Sequence, residues 1–259
     1  MDKNFISTLF DIEGKTAIVT GASGGLGKAI SVGLSLAGAR VMLTGRSKNK
    51  LTPILEEIEA AGGSAAISVA EPTDHQAVKK VVADTIETFG GIDILVPSAG
   101  VNKVGPIVEQ SVEDWESVMD ANVKGTYLYC KEVGKVLIKQ NRGGKVILVG
   151  SARGHLGLAN YSAYSPSKAA IHLMAKTLAC EWGQYNINVN AIAPTVFRTD
   201  LTQWMFDDQE FYKTFLKRIP IGRLGEPDDF IGTVIFLASK SSDFLTGAII
   251  DTDGGYAAG

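Results

Sequence analysis

The chain is poor in the features that mark a protein for export, metal binding or charge-driven association. Its 259 residues include two cysteines and three histidines. Cys130 and Cys180 fall within helical patterns, without the spacing of a metal site or a disulfide framework, and read as core thiols suited to a reducing compartment. No metal ion is expected. The formal charge is only −3, which provides no electrostatic footprint for nucleic acid or an anionic membrane. Small molecules are the expected partners. No apolar run is long enough for a signal peptide or a membrane span, and the opening MDKNFISTLFDIEGK mixes acids into a short apolar stretch, so a cytoplasmic location is expected. There is neither a linker-like segment nor a low-complexity one, so residues 1–259 are expected to form one domain.

What the chain does have is 45% hydrophobic residues, enough for a large core. Short apolar runs recur at 15–20, 40–44, 65–69, 92–96, 145–149, 187–192 and 247–251 and read as buried strands. Helical patterns separate them. Such alternation predicts parallel strands joined by right-handed crossovers, hence an α/β fold of Rossmann type: one doubly wound sheet of about seven strands with helices on both faces. Only 195–225 breaks the rhythm.

TGASGGLG, residues 20–27, follows the first strand and opens a helix. The chain must turn sharply at Gly21, let backbone approach a phosphate at Gly25 and pack the helix on the sheet at Gly27. The helix N-terminus then faces a pyrophosphate. Gly21, Ser23, Gly25, Leu26 and Gly27 are the candidate contacts. At the end of the second strand, where an NAD site carries an acidic residue, stands Gly45, followed by Arg46. A guanidinium suits a 2′-phosphate, so NADP(H) is favoured over NAD(H).

The stretch YSAYSPSKAA, 161–170, places Pro166 in the first turn of a helix that starts near 162–165. Tyr164 and Lys168 share one face four residues apart. Tyr161 lies about 10.5 Å from Lys168 along the axis, too far to be tuned by it, and is a candidate for the pocket wall. An ammonium about 5 Å away, at an effective dielectric of about 20, favours the phenolate by roughly 3 kcal/mol, or about two pKa units. The sequence therefore predicts a Tyr164 pKa lowered toward working pH, as a general acid/base for alcohol oxidation or ketone reduction requires. Ser151, just after the strand at 145–149, can hold the substrate oxygen, and Asn122, within a long helix, can position a water.

Together, TGASGGLG, Asn122, Ser151, YSPSK at 164–168, IAPT at 192–195 and TDGG at 252–255 resemble the short-chain dehydrogenase/reductase family, from about residue 12 to the C-terminus. The resemblance implies a catalytic tetrad of Asn122, Ser151, Tyr164 and Lys168, with Lys168 also on the nicotinamide ribose. It further implies Gly100, Pro194 and Thr199 as cofactor contacts and a homotetramer as the commonest assembly. Departures are visible. Pro97-Ser98 replaces two asparagines, leaving their hydrogen bonds unaccounted for, and the fourth strand should end by Val96. Glu71-Pro72 replaces an aspartate-led pair near the adenine, and Thr195 adds bulk after Pro194.

Residues 195–225 read as a substrate lid rich in aromatics, among them Trp204, Phe206, Phe211 and Tyr212; these serve the substrate, a subunit contact or a small satellite core. Lys103, Arg153 and Arg198 are candidate cations for an anionic substrate, with His155, Tyr161 and Trp204 as further contacts. The flanks are similar to the gluconate 5-dehydrogenase and 2-deoxygluconate 3-dehydrogenase branch. The expected activity is NADP(H)-dependent interconversion of a secondary alcohol and a ketone, on a sugar acid, polyol or related keto acid. The alternatives are a 3-oxoacyl thioester reductase and a non-catalytic NADP(H)-binding regulatory protein.

Overall fold

The computed structural model describes residues 4–199, 202–203, 205 and 209–258. Its centre is one parallel sheet of seven strands: β1 (Thr16–Thr20), β2 (Arg40–Gly45), β3 (Ser64–Val69), β4 (Ile94–Pro97), β5 (Gly144–Val149), β6 (Ile187–Pro194) and β7 (Ile249–Thr252), in the order β3-β2-β1-β4-β5-β6-β7. After β3 the chain crosses back to start β4 on the other side of β1, so the order reverses between β1 and β4. The apolar runs are continuous because both faces are covered. Along β1, Ala17 and Val19 join one core while Ile18 joins the other, and β2 divides Val41 and Leu43 from Met42 in the same way.

The first core is roofed by α2 (Gly25–Leu36), α3 (Lys48–Ala60) and α9 (Asp228–Ala238), the second by α4 (His75–Phe89), α6 (Gly125–Gln140) and α7 (Tyr164–Trp182). Two further short helices, α1 (Phe5–Leu9) and α8 (Gln209–Leu216), lie outside these layers. Asp74 caps α4 by accepting from Gln76 N at 2.8 Å and Ala77 N at 3.2 Å. No helix among the described residues is long and apolar enough to cross a membrane.

Four expectations are corrected. The edge strands β3 and β7 are only partly covered, since an edge strand has a neighbour on one side alone. Cys180 is exposed, because it follows the buried Ala179 on α7 and the helical period turns it outward. The strand β4 reaches Pro97, which pairs with Thr20. The pairing with β5 stops at Leu95, since the proline has no N–H to carry that ladder further, while the pairing with β1 continues to Pro97. Finally, the long helix through Asn122 is two helices, α5 (Val112–Met119) and α6, joined by a π-helical turn at Asp120–Lys124.

Candidate active site

A cleft of about 370 Å³ opens where the strand order reverses, at the carboxyl ends of the strands. Gly21, Ser23, Gly25, Leu26, Gly27, Arg46, Glu71, Gly100, Tyr164, Lys168, Pro194 and Thr199 all border it. Gly21 has φ +61°, and a Cβ there would fall 2.8 Å from Ala99 Cα, so no other residue fits the turn. A Cβ on Gly25 would meet Thr199 Cγ2 at 2.4 Å, so backbone, not side chain, faces the cleft at the start of α2. Gly27 is tightly packed at the ends of β1 and β4. Its nearest neighbour is the carbonyl oxygen of Gly21, the residue after β1, at 2.1 Å from an ideal Cβ, which would also lie 2.9 Å from Ser98 Oγ. Together with free first-turn N–H groups, these features fit a bound dinucleotide.

The wall opposite the turn is built by β5 and α7. Pro166 is the third residue of α7, which begins at Tyr164 as the proline requires. Tyr164 and Ser151 both border the cleft, and Ser151 lies near enough to lower the tyrosine's pKa. Ser151 Oγ accepts from Arg153 N at 3.1 Å and donates a long bond, 3.4 Å, to the Pro194 carbonyl. Lys168 is buried, donates to the Val149 carbonyl at 2.9 Å, and lies 5.6 Å from the Tyr164 ring centroid. Its pKa is pushed down to about 8 by burial. The Tyr164 pKa is raised, chiefly by burial and also by Tyr161, against the lowering effects of Ser151 and Arg153. This reverses the sequence expectation. Desolvation outweighs Ser151 and the Arg153 charge.

Asn122 is buried on the π-helical turn. Its Oδ1 accepts from Val101 N at 2.8 Å, while Nδ2 donates to Val101 O at 3.0 Å and Ser167 Oγ at 2.9 Å. The amide therefore ties the chain after β4 to α7, and its donors have none left for a water. A Cβ on Gly100 would sit 3.0 Å from Asn122 Oδ1 and 3.7 Å from Lys168 Nζ, so that chain passes directly over both. The bonds expected of two asparagines are supplied otherwise: Ser98 Oγ donates to Thr20 O at 2.5 Å and Ala99 N to Thr20 Oγ1 at 3.0 Å.

The other candidates divide. Lys103 pairs with Asp114 at 3.2 Å and Arg198 with Glu226 at 3.1 Å, and neither borders the cleft. His155 turns away to Asp251, 3.2 Å distant, on the edge strand β7. Arg153 and Tyr161 are not among the lining residues but lie beside them, Tyr161 edge-on to Tyr164 with ring centroids 6.1 Å apart and Arg153 near enough to lower the Tyr164 pKa. Trp204 and Phe206 lie outside the described residues, as does the Phe211 side chain. The segment from 195 to 225 leaves and returns at one point: Phe197 bridges Gly225, and Arg198 N donates to Gly225 O at 2.8 Å. Tyr212 packs with Ala152, Ile219, Leu224 and Tyr256 in a satellite core.

Two residues escaped the sequence reading. Tyr129, seven after Asn122 and so on the same helical face, floors the cleft with its hydroxyl 3.3 Å from Thr44 Oγ1. Its pKa is pushed up to about 12 by burial. His172 lies under Ser151, whose N–H points to Nε2 at 3.5 Å. Burial pushes this imidazole down to about 4, helped by His155, Lys168 and Lys176, so it stays neutral and able to accept.

Comparison with known proteins agrees with this geometry. A family model described as enoyl-(acyl carrier protein) reductase matches residues 21–257. An oxidoreductase of Mycobacterium tuberculosis, itself uncharacterised, is 44% identical over 96% of this chain and 93% of its own length. The 2-dehydro-3-deoxy-D-gluconate 5-dehydrogenase of Dickeya dadantii is 37% identical, covering 98% of this chain and 99% of its own. The crystal structure of a gluconate 5-dehydrogenase from Burkholderia cenocepacia, in complex with NADP and tartrate, superposes with a TM-score of 0.94 at 30% identity, over 97% of this chain and 98% of that one.

Proposed function

The chain belongs to the short-chain dehydrogenase/reductase family, an oxidoreductase acting on CH–OH groups, and from that premise we propose that it interconverts a secondary alcohol and a ketone with NADP(H), on a sugar acid, polyol or related keto acid. The observation that carries the reading is that Ser151, Tyr164 and Lys168 converge on a glycine-lined cleft, with the Lys168 ammonium 5.6 Å from the tyrosine ring. When bound, the nicotinamide cofactor supplies the hydride acceptor or donor. Tyr164 takes the hydroxyl proton of an alcohol, or returns one to a ketone oxygen. The Ser151 hydroxyl, whose hydrogen is engaged by a long bond to the Pro194 carbonyl, redirects it to the substrate oxygen. Lys168 keeps ammonium donors beyond the Val149 bond for a ribose, and Asn122 fixes the strip of chain over which the substrate enters.

The NADP preference is supported at the end of β2. Arg46 is exposed on the cleft, and no acidic side chain pairs with it among the described residues. A Cβ on Gly45 would make only ordinary contacts, 3.6 Å to Leu51 and Ser23, so the missing carboxylate is not forced by packing and the space suits a phosphate. Arg46→Ala should weaken NADPH binding about 10- to 100-fold, the worth of charge-assisted hydrogen bonds, and leave NADH binding nearly unchanged. Titration of both cofactors by fluorescence decides it; equal losses would sink the phosphate role.

The acyl thioester reading keeps one observation of its own. Val104, Ile107 and Val108 are exposed on the loop that Gly105 bridges to Tyr161, an apolar margin that an acyl chain could follow. Turnover of an acyl thioester with no turnover of keto acids would favour it. For assembly we propose the homotetramer; exposed Tyr127 on α6 and Leu173 on α7 support a buried helical interface, and a light-scattering mass of one chain would remove it.

A further inference from the structure

Of the three cations that the sequence offers to a substrate, Lys103 and Arg198 already face the carboxylates of Asp114 and Glu226. Arg153 does not. It is half-buried, two residues beyond Ser151, and no carboxylate stands within ion-pair distance of it among the described residues. Its Nη2 donates to the Tyr256 hydroxyl, and its guanidinium lies 5.2 Å from the Tyr256 ring centroid and 6.0 Å from that of Tyr161. Nη1 is buried with no acceptor. Tyr256 is wholly buried and stacked on Phe215 at 5.2 Å, so the surroundings of the guanidinium are aromatic.

Native structures rarely leave a buried donor or a buried charge unanswered, and those left so call for an explanation at a functional site. We propose that Arg153 is a specificity-determining residue that receives a carboxylate of the substrate. The proposal rests on the reading of the cleft as an alcohol–ketone site and names the chemistry its substrate must carry. A planar fork with one uncompensated positive charge matches a carboxylate monoanion in geometry and in charge. A phosphate dianion would leave net negative charge among tyrosine rings. Arg218, 4.5 Å from the Tyr256 ring centroid, is exposed, so solvent already answers its charge. The neutral Tyr256 hydroxyl is a weaker acceptor than a carboxylate, so an arriving carboxylate displaces it. The position also fits the reaction: the Tyr161 ring centroid lies 6.0 Å from the guanidinium on one side and 6.1 Å from that of Tyr164 on the other.

The test pairs each carboxylate with the polyol of the same carbon chain: gluconate with glucitol, tartrate with threitol, glycerate with glycerol. Each is titrated calorimetrically into the full chain saturated with NADPH. The wild type should bind at least one carboxylate about 10- to 100-fold more tightly than its polyol, the range of a hydrogen bond to a charged group. Arg153→Met should erase that difference while leaving polyol and NADPH affinity in place, and Arg153→Lys should restore part of it. Tyr256→Phe removes the hydroxyl and keeps the charge, so the preference should persist. A wild type that does not distinguish the pairs overturns the proposal, as does an Arg153→Met protein that loses both members equally, or a Tyr256→Phe protein that loses the preference as Arg153→Met does. Turnover of neutral alcohols without a carboxylate preference would leave the oxidoreductase reading standing and this one refuted; carboxylate binding through Arg153 without any turnover would do the reverse.

Discussion

Tyr164→Phe should lower turnover by about 10²- to 10⁴-fold, the span of a lost general acid/base, while leaving NADPH affinity largely intact. Tyr161→Phe should be mild. The contrast follows from where the two hydroxyls stand. Tyr164 borders the cleft together with Ser151 and sits 5.6 Å, ring centroid to ammonium, from Lys168. Tyr161 is edge-on beside it and does not border the cleft. The pH dependence carries the same signature. Alcohol oxidation needs the phenolate and ketone reduction the phenol; with burial holding the Tyr164 pKa above its ordinary value, oxidation should climb steadily into the alkaline range. Reduction should be greatest below about pH 8, where Lys168 retains its proton. Steady-state rates in both directions at saturating cofactor test this. An oxidation rate already flat at neutral pH, or Tyr161→Phe as damaging as Tyr164→Phe, would refute the assignment.

The fold was readable because each strand is a continuous apolar run punctuated by glycine turns, and buried parallel strands demand such runs. The turn at 20–27 and the helix start at Pro166 were readable for a similar reason: glycine and proline restrict the backbone locally, whatever surrounds them. What escaped depended on non-local contacts. The sign of the Tyr164 shift could not be had from a four-residue spacing, which brings Lys168 alongside but does not disclose the burial that raises the tyrosine's pKa. Nor does the pattern DANVKG disclose that Asn122 sits on a π-helical turn with its amide engaged by Val101 and Ser167. The candidate cations show the same limit. Lys103, Arg153 and Arg198 look alike in sequence, and only the fold sets Asp114 and Glu226 against two of them. Tyr129 was the reachable omission, since helical period alone puts it on the face of Asn122.

Lys168→Met should abolish most turnover, by about 10²- to 10⁴-fold, weaken NADPH binding, and yet stabilise the fold. Lysine and methionine are similar in length, so the apolar stem space is refilled without a cavity. The ammonium is buried with one protein acceptor, the Val149 carbonyl, and burial pushes its pKa from 10.5 down to about 8. A lysine whose folded-state pKa lies below its unfolded one favours the unfolded state wherever the native form must be charged. Its penalty is fully present below about pH 8 and disappears as pH rises toward 10.5. At neutral pH the penalty is of the order of 3 kcal/mol by the conversion of about 1.4 kcal/mol per pKa unit, so Lys168→Met should raise the urea midpoint at pH 7 and lose that advantage near pH 10. Such a result marks a site whose cation is retained for what it does to a bound cofactor and a neighbouring tyrosine, against the interest of stability. Equal or lower stability of Lys168→Met at pH 7, in equilibrium urea unfolding of both proteins at the two pH values, would mean that the ammonium is stabilised in the fold by more than Val149 and that the burial argument fails.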